Sequence, residues 1–416
     1  MTTRPTILVV SDAVVPTGYA RLSAALITRF LAHFDVHQVG LNYTGPMLQT
    51  PWPLHPSPGH QYPQGLCLLR QAILEISPDI VLLINDLNVL MHYATELGDL
   101  RPLSCFVAYF PIESGPIEPE VLAPGMSFYH HLATYTEFAA REVRRALSIL
   151  PNARHAAGRL SIIPHGVDSR HFYPLCGRSP DKLRQSQLQA RQRLFPNAPN
   201  VEDMFLVLNA NRNQPRKRID ITLEAFSLFA QGKPEAVKLY LHMGLQDRGW
   251  NILLLGRRYG ILERIILTTD APEMVDVSIE TLNLIYNACD VGLNTCCAEG
   301  WGLVAFEHAA TGRPQIVPRH TSQIELWEGA ARLVPPSRTI VSERDLTDIH
   351  LVSPEDVARE LEQLYQEPHY RASAGRACLA RATDPKLDWN KISAQWRKLF
   401  FDVLAKEHFA DAAMTA

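Results

Sequence analysis

Short apolar runs alternate with segments of helical periodicity along the first part of the chain. Residues 7–10 are apolar, and a Pro-Thr-Gly turn follows at residues 16–18. After this turn, apolar residues recur every three or four positions from Leu22 to Leu31. This order predicts a strand, a loop and a helix. The pattern then repeats, with predicted strands at FDVHQVGL, DIVLLIN, CFVAYF, HLATYT and LSIIPH and predicted helices at GLCLLRQAILEI and FAAREVRRALSIL. Such alternation indicates a doubly wound parallel sheet.

A second series of the same kind follows a polar stretch. Residues 168–200 are rich in Arg and Gln and are interrupted by prolines, so we place a domain boundary there. Predicted strands then occur at MFLVLNA, VKLYLHM, RIILT and VGLNT, and predicted helices at IDITLEAFSLFA, TLNLIYNA and LVAFEHAA. The sequence therefore predicts an α/β protein with two Rossmann-like domains, residues 1–185 and 200–385. An amphipathic helix, residues 386–416, is expected to pack back on them.

Composition narrows the class of protein without identifying it. The chain has 416 residues, of which 46% are hydrophobic and 20% charged, values that exclude a disordered or fibrous protein. Its formal net charge of -3 gives no overall attraction to nucleic acid or to an anionic membrane. Seven scattered cysteines without a CxxC pair favour a reducing compartment. With no signal peptide or membrane-spanning run, we expect a cytoplasmic protein.

The clearest chemical motif is the strand, loop and helix of residues 289–317, CDVGLNTCCAEGWGLVAFEHAATGRPQIV. A helix that begins near Leu303 would present free backbone N–H groups and its positive dipole end to a phosphate. Glu307 follows four residues later on the same helix face, and Glu299 lies in the loop at the carboxyl end of the strand. Both carboxylates could accept hydrogen bonds from sugar hydroxyls. Taken alone, the pair fits equally well as two solvated residues.

Three segments together resemble one enzyme family. The segment EGWGLVAFEHAATGRP resembles the EGFGLxxxEAxAxGxP motif of retaining GT-B glycosyltransferases, specifically family 4. In the expected order, SIIPHGVDSRHFYP is similar to the hinge segment of that family and LNANRNQPRKRIDITLEAF to its GRxxxxKGxxxxLxAF strand and helix. The resemblance implies two Rossmann-like domains facing a central cleft. It also implies transfer of a hexose from a UDP- or GDP-sugar to an acceptor hydroxyl with retention of configuration.

The resemblance also assigns roles to individual residues. Arg212 and Lys217 match the cations that hold the donor phosphates, while Glu299 matches the residue that contacts donor-sugar hydroxyls and Glu307 the one that holds the ribose. Read without the family, residues 216–218 could instead be a solvated basic turn. The catalytic residues implied are Arg212, Lys217 and Glu299. The donor-binding set is Gly18, Arg212, Lys217, Glu299, Gly300, Trp301, Gly302, Leu303, Val304 and Glu307.

The acceptor side departs from the family pattern. Where the family often has a His after a middle strand of the amino-terminal domain, this chain reads VAYFPIESGP, and Glu113 is the ionisable residue in that stretch. His165 stands where Asn is usual in the hinge, and Trp301 where Phe is usual. We therefore take Glu113 and His165 as the acceptor-side candidates, with a hydrogen-bonded structural role as the alternative for His165. The acceptor itself is not identified.

The sequence gives no motif for a metal or a cofactor. It contains no Asp-x-Asp, GxGxxG or P-loop, so we predict a metal-independent reaction and no cofactor beyond the sugar donor. Arg141, Arg144 and Arg145 share one side of a predicted helix and could touch a membrane surface or nucleic acid, although a solvated face is the simpler interpretation. Two alternatives stay open: glycosylation of a nucleic-acid base such as a hydroxymethylated pyrimidine in DNA, and non-catalytic binding of a nucleotide sugar.

Overall fold

The chain forms two compact units, seen in a computed structural model that describes residues 4–43, 45, 49–57, 65–151, 154–272 and 275–415. Unit 1 comprises Met1–Gly166 and Trp389–Ala416, and unit 2 comprises Val167–Asp388. The side chains from residue 407 onward, which belong to the predicted C-terminal helix, lie outside the described part. Within the described residues, no helix combines the length and the apolar character needed to span a membrane.

Unit 1 is built on a parallel sheet whose strand order, in the described residues, is β3-β2-β1-β4-β5-β6-β7. Val9 of the central strand pairs with Gln38 on one side and with Leu82 on the other. The order of the strands reverses between β1 and β4, which makes this position the switch point of the sheet. The strands are β1 Thr6–Asp12, β2 Asp35–Leu41, β3 Leu54–Ser57, β4 Ile80–Ile84, β5 Cys105–Phe110, β6 His131–Thr134 and β7 Leu160–Ile162.

The helices of unit 1 cover the apolar side chains of its strands. The central strands are buried along nearly their whole length, as expected for a parallel sheet between two helical layers. Val143 and Leu147 are buried one turn apart, which gives their helix a single apolar face. The helices are α1 Gly18–Phe30, α2 Leu66–Ile76, α3 Leu87–Glu96, α4 Pro119–Phe128, α5 Glu137–Ile149 and α6 Arg154–Ala157.

Unit 2 repeats this architecture with a parallel sheet of order β10-β9-β8-β11-β12-β13 in the described residues. Its switch point lies between β8 and β11. Its strands are β8 Phe205–Asn209, β9 Val237–Leu241, β10 Ile265–Leu267, β11 Val291–Leu293, β12 Gln315–Pro318, β13 Arg332–Val334, and β14 Pro336–Val341 with β15 Asp348–Val352, which form a separate antiparallel hairpin. Its helices are α7 Pro180–Leu194, α8 Ile219–Ala230, α9 Ile252–Arg258, α10 Ile279–Ala288, α11 Leu303–Ala309, α12 Thr321–Trp327, α13 Pro354–Gln366 and α14 Pro368–Ala382.

The limits of the units differ from those predicted from the sequence. The polar stretch at 168–200 contains α7, which packs against α10 and belongs wholly to unit 2. Arg191 of α7 is buried and donates to the Asp290 carboxylate at 2.5 Å, so the Arg- and Gln-rich composition reflects hydrogen bonding rather than a linker. The final helix, α15 Trp389–Thr415, packs on α1 and β5 of unit 1. The buried indole of its Trp396 lies 4.8 Å from the Tyr109 ring.

Candidate functional site

The switch point of unit 2 brings together two of the predicted site residues. Lys217 follows β8 and Glu299 follows β11, and because these strands are neighbours their carboxyl ends meet at one edge of the sheet. Lys217 Nζ and Glu299 Oε2 form an ion pair. Both residues are buried, with 7% and 5% of their surface exposed. The alternative of a solvated basic turn and a solvated loop carboxylate is therefore wrong for these two residues.

A second cation extends this pair. The Arg216 Nη1 lies 3.5 Å from Glu299 Oε1 and donates to the carbonyl of Ala298 at 3.2 Å. Burial by itself raises the pKa of Glu299, but Lys217 and Arg216 overcome that effect and hold the pKa below its ordinary value. Glu299 is therefore a charged carboxylate at neutral pH. Because its charge is compensated, it can stay ionised inside the protein.

Buried hydroxyl groups connect the segment that follows β8 to the segment that follows β11. The Thr295 hydroxyl donates to the carbonyl of Arg218 at 2.9 Å and lies 2.7 Å from the Thr222 hydroxyl of α8. The Asn209 amide at the end of β8 donates to Thr222 at 2.9 Å. Arg218 has a φ of 48°, in the left-handed region, which turns the chain sharply after Lys217. These buried polar contacts thus hold the backbone segment that carries Lys217.

The loop 296–301 accepts hydrogen bonds from the segment 320–323, which the sequence analysis missed. Ser322 and Gln323 are fully buried, and His320 is 3% exposed. Their side chains satisfy loop carbonyls, which orients the peptide planes of the loop. The polar run His-Thr-Ser-Gln, which begins two residues after the end of a buried strand, was the available signal, because buried polar side chains need hydrogen-bond partners. The contacts are His320 Nε2 to Cys296 O at 2.9 Å, Ser322 Oγ to Glu299 O at 2.6 Å, and Gln323 Nε2 to Trp301 O at 3.1 Å.

The helix predicted to begin near Leu303 begins at that residue. Gly302 immediately before it has a φ of 87°, a conformation that favours glycine and ends the loop abruptly. Leu303 and Val304 therefore occupy the first turn of α11, where backbone N–H groups lack an intrahelical acceptor. Gly300 is buried, and Trp301 is 4% exposed with its ring stacked on Phe306 at 5.1 Å. The tryptophan thus packs inward.

Glu307 lies inside unit 2 rather than on a solvated helix face. It is 4% exposed, and its Oε2 accepts a hydrogen bond from the Tyr286 hydroxyl at 3.0 Å. Tyr286 belongs to α10 and also stacks on His308, with ring centroids 5.5 Å apart. The solvated alternative is therefore wrong for Glu307 as well.

The predicted phosphate ligand Arg212 has a carboxylate partner. Its Nε and Nη2 atoms donate to the two oxygens of Asp247, both at 3.0 Å. The side chain of Asp247 is 9% exposed and that of Arg212 is 31% exposed. Sequence reasoning missed Asp247, because it lies in an irregular segment 35 residues away and no local pattern links the two.

The remaining candidates lie in unit 1. Gly18 is exposed at the start of α1, where the Thr17 side chain caps the helix by accepting from the Ala20 N–H at 3.2 Å. Glu113 is partly buried just after β5. His165 is 4% exposed, with its ring 4.0 Å from that of Tyr135, and burial lowers its pKa to about 3, so the ring is neutral at pH 7.

The three arginines of α5 all have contacts within unit 1. Arg145 is partly buried and donates to the carbonyl of Ile117 at 2.6 Å, whereas Arg141 and Arg144 are exposed. The other contacts are Arg141 over the Phe138 ring at 5.7 Å, Arg144 to Glu137 at 4.0 Å and Arg145 to Glu142 at 3.3 Å.

In the described part of the chain, no group of three or more His, Cys, Asp and Glu side chains is arranged so that it could hold a metal ion.

Comparisons with known proteins agree on the fold. No protein-family model and no curated protein matches the chain. Among solved structures, sucrose-phosphate synthase from Thermosynechococcus elongatus is similar, with 17% identity, a TM-score of 0.72, and 97% of this chain and 100% of that chain covered. HepE from Anabaena, in complex with UDP and glucose, has 16% identity and a TM-score of 0.66 over 96% of this chain and 100% of its own.

The catalytic domain of starch synthase IV from Arabidopsis thaliana, bound to ADP and acarbose, is similar as well. It has 12% identity and a TM-score of 0.68 over 97% of this chain and 100% of that domain. Identities this low establish architecture rather than activity. Together with the two parallel sheets, these comparisons show that the chain has the GT-B fold of two Rossmann-like α/β domains.

Proposed function

We propose that the protein is a retaining glycosyltransferase, similar to family 4, that transfers a hexose from a UDP- or GDP-sugar to an acceptor hydroxyl. The observation that carries this proposal is the buried Lys217–Glu299 pair with Arg216 beside it, at the switch point where α/β sheets bind ligands. The solved structures of HepE with UDP and glucose and of starch synthase IV with ADP support a nucleotide-sugar donor for this fold.

The cations would act on the leaving group. As the bond between the sugar and the diphosphate breaks, its electron pair passes to a phosphate oxygen and negative charge grows there. Lys217 and Arg212 would stabilise that charge, and fixed cations away from bulk water do so more effectively than solvent. Lys217 suits this role because its contacts orient it before the donor arrives.

The carboxylates would recognise the neutral parts of the donor. Glu299, kept ionised by its two cations, would accept hydrogen bonds from sugar hydroxyls, and Glu307 would do the same for the ribose. The backbone N–H groups of Leu303 and Val304 would face the diphosphate, with Gly300 and Gly302 permitting close approach of the backbone.

The acceptor step would use the leaving group as the base. The acceptor oxygen forms the new bond to the anomeric carbon while its proton passes to the departing phosphate oxygen, so atoms and charge balance without a covalent enzyme intermediate. Glu113 and His165 remain the acceptor-side candidates. The buried, neutral state of His165 favours a structural role for that residue.

A donor screen tests the proposal directly. Thermal shift should be measured with UDP-glucose, GDP-mannose and ADP-glucose, since a ligand at about 100 times its Kd adds about 2.7 kcal/mol of stability. The best donor should then release its nucleoside diphosphate in the presence of a sugar or oligosaccharide acceptor, and the anomeric configuration of the product should match that of the donor. Binding without turnover would favour a nucleotide-sugar-binding protein. Turnover only with hydroxymethylated DNA would favour the nucleic-acid alternative.

Activity is expected to be independent of divalent metal, because Lys217 and Arg212 would supply the positive charge that an ion supplies in metal-dependent enzymes. Initial rates with and without EDTA should agree within about twofold. Loss of activity that Mg²⁺ or Mn²⁺ restores would contradict this expectation.

A further inference from the structure

The Arg212–Asp247 contact leaves part of the guanidinium group available. An arginine carries five N–H donors in a planar fork, and Asp247 occupies one edge of that fork through Nε and Nη2. The N–H groups of Nη1 and the second one of Nη2 point away from this edge. Because the Asp247 side chain is 9% exposed and the Arg212 side chain is 31% exposed, the more accessible side of the pair is the arginine.

Asp247 is itself held in place by its backbone. Its N–H and that of Gln246 both donate to the carbonyl of Pro272, at 2.8 and 3.0 Å. The φ of Asp247 is 37°, a left-handed conformation that a non-glycine residue adopts only when its surroundings require it. The carboxylate therefore comes from a fixed backbone and not from a mobile surface side chain.

The residue after Arg212 ties the same two segments together. Asn213 is fully buried, and its side-chain amide donates to the carbonyl of Trp250 at 2.7 Å while its Oδ1 accepts from the Trp250 N–H at 3.0 Å. Its carbonyl also accepts from the Arg248 N–H at 3.3 Å. Segments 212–213 and 247–250 are thus joined through both backbone and side chains, and Arg212 is aligned by a rigid support.

We propose that Asp247 is a positioning residue that aligns the open edge of the Arg212 guanidinium with the donor diphosphate. This inference rests on the proposed function. A free arginine side chain loses rotamer entropy when it binds a phosphate, and a guanidinium group already held on one edge avoids much of that cost. The carboxylate also reduces the net positive charge of the site, which weakens binding of the diphosphate in the ground state. Asp247 thus favours alignment of Arg212 in the transition state over tight binding in the ground state.

Substitution of Asp247 should therefore separate turnover from binding. Asp247→Asn keeps the size of the side chain but removes its charge, which loosens Arg212 and makes the site more positive. We expect turnover to fall about tenfold to a hundredfold, the range expected for a catalytic group displaced by up to about 1 Å. The affinity for UDP, measured by calorimetry, should stay equal or become tighter. A purely structural defect would weaken both together.

The matched control is a second bidentate pair in the same unit. Arg332 donates to Glu360 through Nε at 2.6 Å and Nη2 at 3.1 Å, and Arg332 is similarly exposed at 34%. Glu360→Gln should leave turnover and UDP affinity unchanged. Asp247→Glu, which keeps the carboxylate, should lose less turnover than Asp247→Asn and gives a second variant if the first is poorly folded.

A double variant tests whether Asp247 acts through Arg212. If it does, Asp247→Asn should have less than about a twofold effect on turnover in an Arg212→Ala background. Turnover of Asp247→Asn equal to or above that of the wild type, a parallel loss of UDP affinity, or additive effects in the double variant would overturn the positioning role while leaving the proposed function intact. A wild-type protein that neither binds nor consumes any of the three donors would overturn the proposed function, and this inference with it.

Discussion

The two units place different chemistry at the same topological position. At the switch point of unit 1, the Tyr19 hydroxyl after β1 donates to the Asp86 carboxylate after β4. At the switch point of unit 2, the cation of Lys217 after β8 meets the Glu299 carboxylate after β11. In each unit, a side-chain contact thus joins the segments that follow the two central strands. The donor is a neutral hydroxyl group in unit 1 and a charged ammonium group in unit 2.

The two units share the strand topology that brings these segments together, but they differ in the side chains that meet there. Asp12, at the end of β1, also accepts from the neutral groups of Thr17 at 2.7 Å and Asn42 at 2.8 Å. Unit 2 instead adds Arg216 to its pair. Neutral contacts recognise hydroxyl groups in a directional way, whereas compensated charges can respond to charge that develops during a reaction. Under the proposed function, we therefore expect the charge-dependent step in unit 2.

The largest expected effect comes from removing the unit 2 cation. Lys217→Ala leaves the Glu299 carboxylate buried with only the longer Arg216 contact, and loss of one partner of a buried ion pair costs about 3–5 kcal/mol. Asp86→Asn in unit 1 keeps a polar group beside Tyr19 and should cost about 0.5–1.5 kcal/mol. Chemical denaturation of both variants measures the contrast. Equal losses would remove the distinction between the two switch points.

A somewhat smaller effect should separate two residues within unit 2. Under the proposed function, Arg212→Ala removes a hydrogen-bond donor whose contribution grows as the diphosphate departs. The activation free energy should therefore rise by about 2.7–4 kcal/mol, which lowers turnover roughly a hundredfold to a thousandfold. Glu307→Gln should weaken donor binding equally in the ground state and the transition state, and should therefore raise KM more than it lowers kcat. Steady-state kinetics on the best donor distinguish the two. If turnover of Arg212→Ala stayed within about threefold of wild type, Arg212 would not act on the leaving group.

The smallest expected effect is a change in the acid sensitivity of unit 1. Burial lowers the pKa of His165 from about 6.5 to about 3, so its stabilising contribution is complete above pH 6.5 and is lost as the pH falls toward 3. Each pH unit in this window costs at most about 1.4 kcal/mol. His165→Asn should therefore flatten the dependence of stability on pH between 6.5 and 5.

Glu299 provides the contrast for that titration. The pKa of its carboxyl is lowered below about 4.5, so its contribution is present above that pH and is lost only at lower pH. Glu299→Gln should leave the slope between pH 6.5 and 5 unchanged. Denaturation at several pH values for both variants gives the comparison, and an unchanged slope for His165→Asn would show that His165 is not a source of acid sensitivity.

Sequence reasoning succeeded where a signal was local. The strands and helices around Leu8, Leu82 and Phe226 follow from apolar runs and helical periodicity, and the elements occur where these patterns predict them. The GT-B fold followed from motifs in the correct order. Local patterns also fixed the start of α11, because a glycine with positive φ limits where that helix can begin.

The features that were not predicted depend on contacts between residues far apart in the sequence. The partnership of Arg212 with Asp247 and the support of Glu299 by Ser322 join segments with no shared periodicity. The polar composition of α7 suggested a linker, because a buried arginine such as Arg191 cannot be told from an exposed one without its partner. The hairpin of β14 and β15 inside unit 2 was not predicted either.

The chain order of the two units has a consequence for biosynthesis. Unit 2 is inserted between β7 and α15 of unit 1, so α15 leaves the ribosome only after the whole of unit 2 has been made. Until then Phe30 and Phe34 lack the Phe400 ring, which packs 5.4 and 5.7 Å from theirs. The first unit to emerge is therefore the last to be completed, and a nascent chain exposes this aromatic surface to chaperones while the second unit folds.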